Sequence, residues 1–154
     1  MKTNVLVVVD MQPKFKSCTK VTVRKVLERI KQAQKKNFDI IVLRYRNHGS
    51  IAKPLLKQLR KTKYSSRLKY RNDGSYQVVQ TLQLKQHEPR KFYLCGVNTG
   101  ACVYDTTLGL RRCYPRAALT VLLDACNDNY REFTKLTRIR KLYPKYVNLT
   151  KEDL

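Results

Sequence analysis

The residues with the most chemistry in them lie at positions 91–103, Lys91-Phe92-Tyr93-Leu94-Cys95-Gly96-Val97-Asn98-Thr99-Gly100-Ala101-Cys102-Val103. The apolar run after Pro89 reads as a short buried strand, Gly96 and Gly100 mark a turn, and residues 101–112 read as a helix. The first N–H groups of a helix lack partners within it, and its macrodipole favours negative charge there. Cys102 stands at that point, so the expectation is a stabilised thiolate with a lowered pKa, as a cysteine nucleophile needs. Cysteine is also among the most buried residue types, and packed core is an equally natural role at a strand-to-helix junction.

Asp10 is the second residue of interest. It ends the β-branched run Asn4-Val5-Leu6-Val7-Val8-Val9, whose unbroken apolarity suggests a central parallel strand covered on both faces. Open α/β sheets bind their ligands at the carboxyl ends of such strands. An acid there can also simply cap the next turn, but Met11, Gln12 and Phe15 close around this one. A third polar point is the lysine-rich stretch that contains Lys63 and Lys69.

The elements that must position these residues alternate along the chain. Residues 19–36 carry Val23, Val26, Leu27, Ile30 and Ala33 at helical spacing with cations opposite, and Asn37 suits the helix end. Residues 38–43 read as a strand and 51–60 as a short helix, with Pro54 tolerable only in its first turn. Residues 64–70 form a loop or short strand. A helix over 73–86 turns Val78, Val79, Leu82 and Leu84 inward. A strand at 118–123, a helix at 129–142 and a short strand at 146–149 complete the series. Such alternation predicts one α/β domain over residues 1–154, a mainly parallel sheet with helices on both faces.

Composition narrows the classes. The 154 residues suit one domain, and 42% hydrophobic content is incompatible with wholesale disorder. No apolar run approaches membrane-spanning length, and residues 5–9 are too short for the apolar part of a secretory leader. Five cysteines, an odd number without CxxC spacing, predict free thiols in a reducing, intracellular (cytoplasmic) setting and no structural zinc.

Three stretches, taken together and in order, resemble the isochorismatase-like cysteine hydrolase superfamily over residues 5–128. They are Val7-Val8-Val9-Asp10-Met11-Gln12 with Phe15, then Gly96-Val97-Asn98-Thr99-Gly100-Ala101-Cys102-Val103, then Val121-Leu122-Leu123-Asp124-Ala125-Cys126. The resemblance implies a Rossmann-like single domain that cleaves a small carboxamide without a cofactor. It implies Cys102 as nucleophile, Asp10 as general base and a lysine beside both, Lys69 or, failing that, Lys63. It further implies an oxyanion hole from the backbone N–H groups of Asn98 and Cys102, with a cis peptide after Val97. Gln12 and Phe15 would line the substrate pocket, and a homo-oligomer is expected. Where nicotinamidases of that family hold a metal, residues 44–50 here offer one histidine, His48, and no carboxylate. No metal is therefore expected, and His48 reads as a surface histidine.

The charge lies outside this resemblance. Lys and Arg number 33 against 11 Asp and Glu, a net +22. Between Asp39 and Asp73 there is no acid, while Arg44, Arg46, Lys53, Lys57, Arg60, Lys61, Lys63, Arg67, Lys69 and Arg71 interleave with Tyr45, Tyr64 and Tyr70. Cations interleaved with aromatics suit phosphate contact and base stacking, so the interval is expected to face nucleic acid or another polyanion, with Arg60, Lys61, Lys63 and Arg67 as contacts. The alternative to an active hydrolase is thus the same fold used as a basic nucleic-acid or ribonucleoprotein-binding or structural protein.

Overall fold

The computed structural model describes residues 1–154. Six parallel strands form one sheet: β1 (Lys2–Val9), β2 (Asp39–Tyr45), β3 (Ser65–Lys69), β4 (Glu88–Val97), β5 (Ala118–Asn127) and β6 (Val147–Thr150), in the order β3-β2-β1-β4-β5-β6. Between them run α1 (Lys20–Lys35), α2 (Lys53–Leu59), α3 (Ser75–Leu84), α4 (Cys102–Cys113) and α5 (Leu136–Leu142).

The unbroken apolarity of residues 5–9 is explained by position. β1 lies at the centre, and both of its faces are covered. Val5, Val7 and Val9 pack with α3, α4 and α5 through Val78, Leu82, Val103, Leu110 and Ile139. Leu6 and Val8 pack with α1 and α2 through Val26, Ile30, Leu55 and Leu59. Each such side chain contributes about 1.5–3 kcal/mol on burial, which lets the fold tolerate the buried charges described below.

Local chemistry sets most element ends. Thr19 caps α1 by accepting from the Thr22 N–H at 3.2 Å, and Asn37, with φ of 53°, turns the chain after it. Pro54 sits in the first turn of α2. The predicted helix over 73–86 is shorter than expected. Asp73 Oδ1 accepts from the Ser75 N–H at 2.8 Å and starts α3 there, and Leu84 is exposed rather than inward. β4 starts earlier than predicted because Pro89 pairs opposite Thr3 at an edge irregularity. β5 runs on to Asn127, past a register shift beside Gly96. The single helix expected over 129–142 is a 3-10 turn, Arg131–Thr134, followed by α5.

The strand order reverses between β1, whose next strand β2 lies on one side, and β4 on its other side. Ligands of open parallel sheets bind in the crevice that such a reversal leaves at the carboxyl ends. Asp10 follows β1, Lys69 ends β3, and the turn from β4 into α4 carries Asn98 and Cys102, so all four gather at that end. The connection from α2 to β3, which holds Arg60, Lys61 and Lys63, lies at the opposite end of the sheet.

Candidate active site

Asp10, in the left-handed region with φ of 49°, is fully buried, and so is Lys69. Lys69 Nζ lies 2.8 Å from Asp10 Oδ2 and donates to the carbonyls of Arg71 at 3.0 Å and Asn72 at 3.2 Å. It also stands 4.3 Å from the centre of the Tyr45 ring. The ammonium is therefore surrounded by acceptors, as a buried charge must be to be tolerated. Its aliphatic stem needs the bare Gly74, where an added Cβ would come 2.4 Å from Leu43 Cδ1 and 3.0 Å from Lys69 Cδ. Lys63, the other lysine considered, is exposed at the far end of the sheet.

Cys102 opens α4 with 4% of its surface exposed. Its Sγ donates to Asn72 Oδ1 at 3.6 Å, and Asp10 and Lys69 both act on it. The lowered thiol pKa expected from the helix start is not what the site imposes. Burial, then the Asp10 charge, push the thiol up to about 12 against the opposing pull of Lys69. The end of one helix, worth up to ~2 kcal/mol, cannot outweigh desolvation plus a neighbouring anion. Burial also raises the Asp10 carboxyl above its ordinary value, with Lys69 pulling the other way. Lys69 balances the Asp10 carboxyl on one side, and Asp10 Oδ1 has no hydrogen-bond partner. A thiol raised this far is protonated at neutral pH, and it stands beside the Asp10–Lys69 pair.

The peptide between Val97 and Asn98 is cis, as the resemblance implied. The Asn98 side chain accepts from Ser17 Oγ, and the carbonyl of Ser17 accepts from Asn127 Nδ2 at 2.9 Å. Beyond it, Thr99 N–H donates to Asn127 O at 3.0 Å and Gly100 N–H to Asp128 Oδ2 at 2.7 Å. Tyr143 Oη donates to the Thr99 carbonyl at 2.6 Å. The turn is so held from several sides, yet the N–H groups of Asn98 and Cys102 have no acceptor within the protein. Two free donors beside a thiol are what a developing oxyanion requires.

Gln12, expected in the substrate pocket, is fully buried. Its amide donates to the carbonyls of Tyr45 at 3.0 Å and Gly49 at 2.7 Å and accepts from Tyr45 N–H at 2.7 Å, so it clamps the loop after β2. Phe15 stacks on His48, centroids 4.4 Å apart, and meets Tyr45 edge-on at 6.1 Å. His48 is thus half-buried in an aromatic cluster beside the site, its Nδ1 2.8 Å from Arg46 O. No group of three or more His, Cys, Asp or Glu side chains is placed to hold a metal ion.

The polyanion interval divides in two. Arg60, Lys61 and Lys63 are exposed at the end away from the site, while Arg67 Nε is committed to Thr81 Oγ1 at 2.9 Å. Arg46 and Arg71 are exposed at the site end. Sequence reading missed Asn72, whose side chain covers the thiol and whose carbonyl holds Lys69. Its one signal was its place just after the lysine, at the start of α3. It also missed Thr106, which accepts from Gly74 N–H at 3.0 Å and ties that turn to α4.

No protein-family model matches the sequence, and no curated protein sequence matches it. Solved structures do match. The nicotinamidase SaPncA of Staphylococcus aureus aligns over 97% of this chain and 100% of its own at 15% identity, TM-score 0.79. MAR1 ribonuclease of Caenorhabditis elegans aligns over 91% of this chain and 74% of its own at 19% identity, TM-score 0.77. N-carbamoylsarcosine amidase of Thermoplasma acidophilum aligns over 97% of this chain and 96% of its own at 14% identity, TM-score 0.74. Identities this low speak to the fold and no further, and the fold of this chain is that of the isochorismatase-like hydrolases.

Proposed function

We propose that the protein is a cysteine hydrolase that cleaves the C–N bond of a small carboxamide. The observation that carries this is the meeting of the buried Asp10–Lys69 pair, 2.8 Å apart, with the Cys102 thiol at the carboxyl end of the sheet. The amidase and nicotinamidase among its fold neighbours support it.

In this reading Cys102 Sγ forms a bond to the carboxamide carbon as its proton passes to Asp10. The carbonyl π-electrons move onto oxygen, which the N–H groups of Asn98 and Cys102 receive. The oxyanion collapses, the C–N bond breaks, and the leaving nitrogen takes the proton from Asp10 and departs as ammonia or an amine. Water then gives a proton to Asp10 and adds to the thioester, and the carboxylic acid leaves as Cys102 recovers its proton. Lys69 keeps Asp10 ionised despite burial. Asn72 must swing off the thiol to admit substrate.

The test is ammonia release from a panel of small primary amides, with the acyl-enzyme trapped by acid quench and weighed by mass spectrometry. Turnover by the wild type, none by Cys102→Ala and an adduct on Cys102 are expected. Full activity in Cys102→Ala removes the assignment.

The net charge of +22 and the acid-free interval favour a second reading, in which the same protein binds a polyanion such as single-stranded nucleic acid. The ribonuclease among the fold neighbours is compatible with it. Salt-dependent anisotropy with labelled RNA and DNA tests it, since counterion release makes log affinity fall linearly with log salt. Absence of binding at low salt ends this reading and leaves the first standing. Self-association is also part of the proposal, to be read by sedimentation at low and high salt, because two copies of such charge approach only when screened.

A further inference from the structure

Two tyrosines stand out on the surface beside the candidate active site. Tyr70 is 59% exposed and Tyr76 is 64% exposed, although aromatic rings of this size gain from burial. Both line one cleft of about 260 Å³, whose other walls are Arg71, Asp73 and Gln77. Neither ring is loose. The Arg46 guanidinium lies 5.5 Å from the centre of the Tyr70 ring, and Tyr76 Oη accepts from Gln80 Nε2 at 2.7 Å, one turn along α3. The one acid in the lining is already occupied: Asp73 Oδ2 pairs with Arg112 at 3.1 Å, and its Oδ1 accepts from Ser75 N–H.

Held aromatic faces with Arg71 in the cleft wall and Arg46 against Tyr70 match one ligand chemistry. Flat heterocycles stack on such rings, and the exposed Arg71 and Arg46 meet phosphate. Asn72, which accepts from the Cys102 thiol, stands in the chain between the lining residues Arg71 and Asp73.

We propose that this cleft is a nucleobase-binding subsite that holds a base of single-stranded RNA next to the mouth of the cysteine site. It rests on the polyanion reading for its phosphate contacts but adds a claim that charge alone does not make, namely that the bases and not just the phosphates are bound. The carboxamide reading can fail without touching it, since the measurement is of binding.

The probe is a fluorescein-labelled oligouridine, compared with an abasic oligomer of the same length and charge and with duplex RNA, by anisotropy at fixed salt. The proposal expects the oligouridine to bind about tenfold more tightly than the abasic strand or the duplex. Tyr70→Ala and Tyr76→Ala should each erase most of that difference, and Tyr70→Phe and Tyr76→Phe should keep it. The triple variant Arg60→Ala, Lys61→Ala, Lys63→Ala, altered at the opposite end of the sheet, should leave the ratio unchanged. Equal affinity for the oligouridine and the abasic strand overturns the subsite and leaves only a basic surface. Loss of the preference in the Phe variants, or its survival in both Ala variants, overturns it as well. Circular dichroism melts of every variant identify any that fail to fold, and the Phe pair keeps the test decisive in that event.

Discussion

At the scale of residues, Asp10 and Lys69 act on Cys102 in opposite directions, and this makes the effects of substitution separable. Asp10→Asn removes the anion that helps hold the thiol up near 12 and leaves the Lys69 ammonium beside Cys102 without its partner. The thiolate becomes easier to form while its proton acceptor is lost. Turnover should fall by roughly 10²–10⁴, the usual cost of losing a general base. Iodoacetamide should at the same time alkylate Cys102 faster than in the wild type, with the exposed Cys113 as the internal reference thiol. If alkylation and turnover fell together, Asp10 would be activating the thiol in the ground state rather than accepting its proton in the reaction. Lys69→Ala acts differently. It leaves the Asp10 carboxylate buried and unpaired, at about 3–5 kcal/mol when charged. Burial already raises this carboxyl and Lys69 opposes the rise, so its removal raises the carboxyl further. A group with a raised folded pKa favours the native state below its unfolded pKa, about 4, and loses that support as pH rises through the folded value. The Lys69→Ala variant should therefore be most destabilised at neutral pH and recover toward pH 4 in urea melts, while Lys63→Ala stays within about 0.5 kcal/mol of wild type throughout.

At the scale of elements, the close approach of β1 and β4 decides whether Asp10 and Asn98 share a site. Gly96, with φ of +117°, lies against Val9, whose carbonyl oxygen would sit 2.1 Å from an added Cβ. Gly96→Ala should cost at least about 3 kcal/mol, because the clash is with central-strand backbone and the conformation disfavours any side chain. A calorimetric melt close to that of wild type would mean the strands can part without penalty. The sequence made this junction legible because its requirements are local: a glycine, an apolar strand and a polar residue at each strand end. Lys69 was legible only as one of two lysines. Its choice depends on β3 pairing with β2 and on the bare Gly74, and a long-range contact leaves no periodic mark. The thiol pKa was misjudged for the same reason. The helix start is written in residues 96–103, but the burial and the Asp10 charge that override it come from other strands. Asn72 and Gln12 likewise show their roles only once β2, β3 and α4 converge.

At the scale of the whole molecule, +22 must be held on a chain of 154 residues, and its own repulsion opposes the compact state. Arg67 on the edge strand β3 is tied to Thr81, and Asp39 is paired with Lys85 at 2.7 Å and His87 at 2.6 Å. The acids are too few for such pairing to neutralise the surface. Screening should therefore stabilise the fold. Raising sodium chloride from about 0.1 M to about 1 M shortens the Debye length from about 10 Å to about 3 Å and should raise the melting temperature. A gain of ~1 kcal/mol corresponds to about 2–4 °C for a chain of this size. A bound polyanion acts by a second route, since a ligand that prefers the native state stabilises it by mass action. Oligouridine should thus raise the melting temperature further near about 0.1 M salt, and its advantage should vanish near about 1 M salt as counterion release loses its driving force. A melting temperature indifferent to chloride would show that the cations are spaced widely enough not to repel. A response to chloride without one to oligouridine would confine the charge to solvation and remove nucleic acid as its partner.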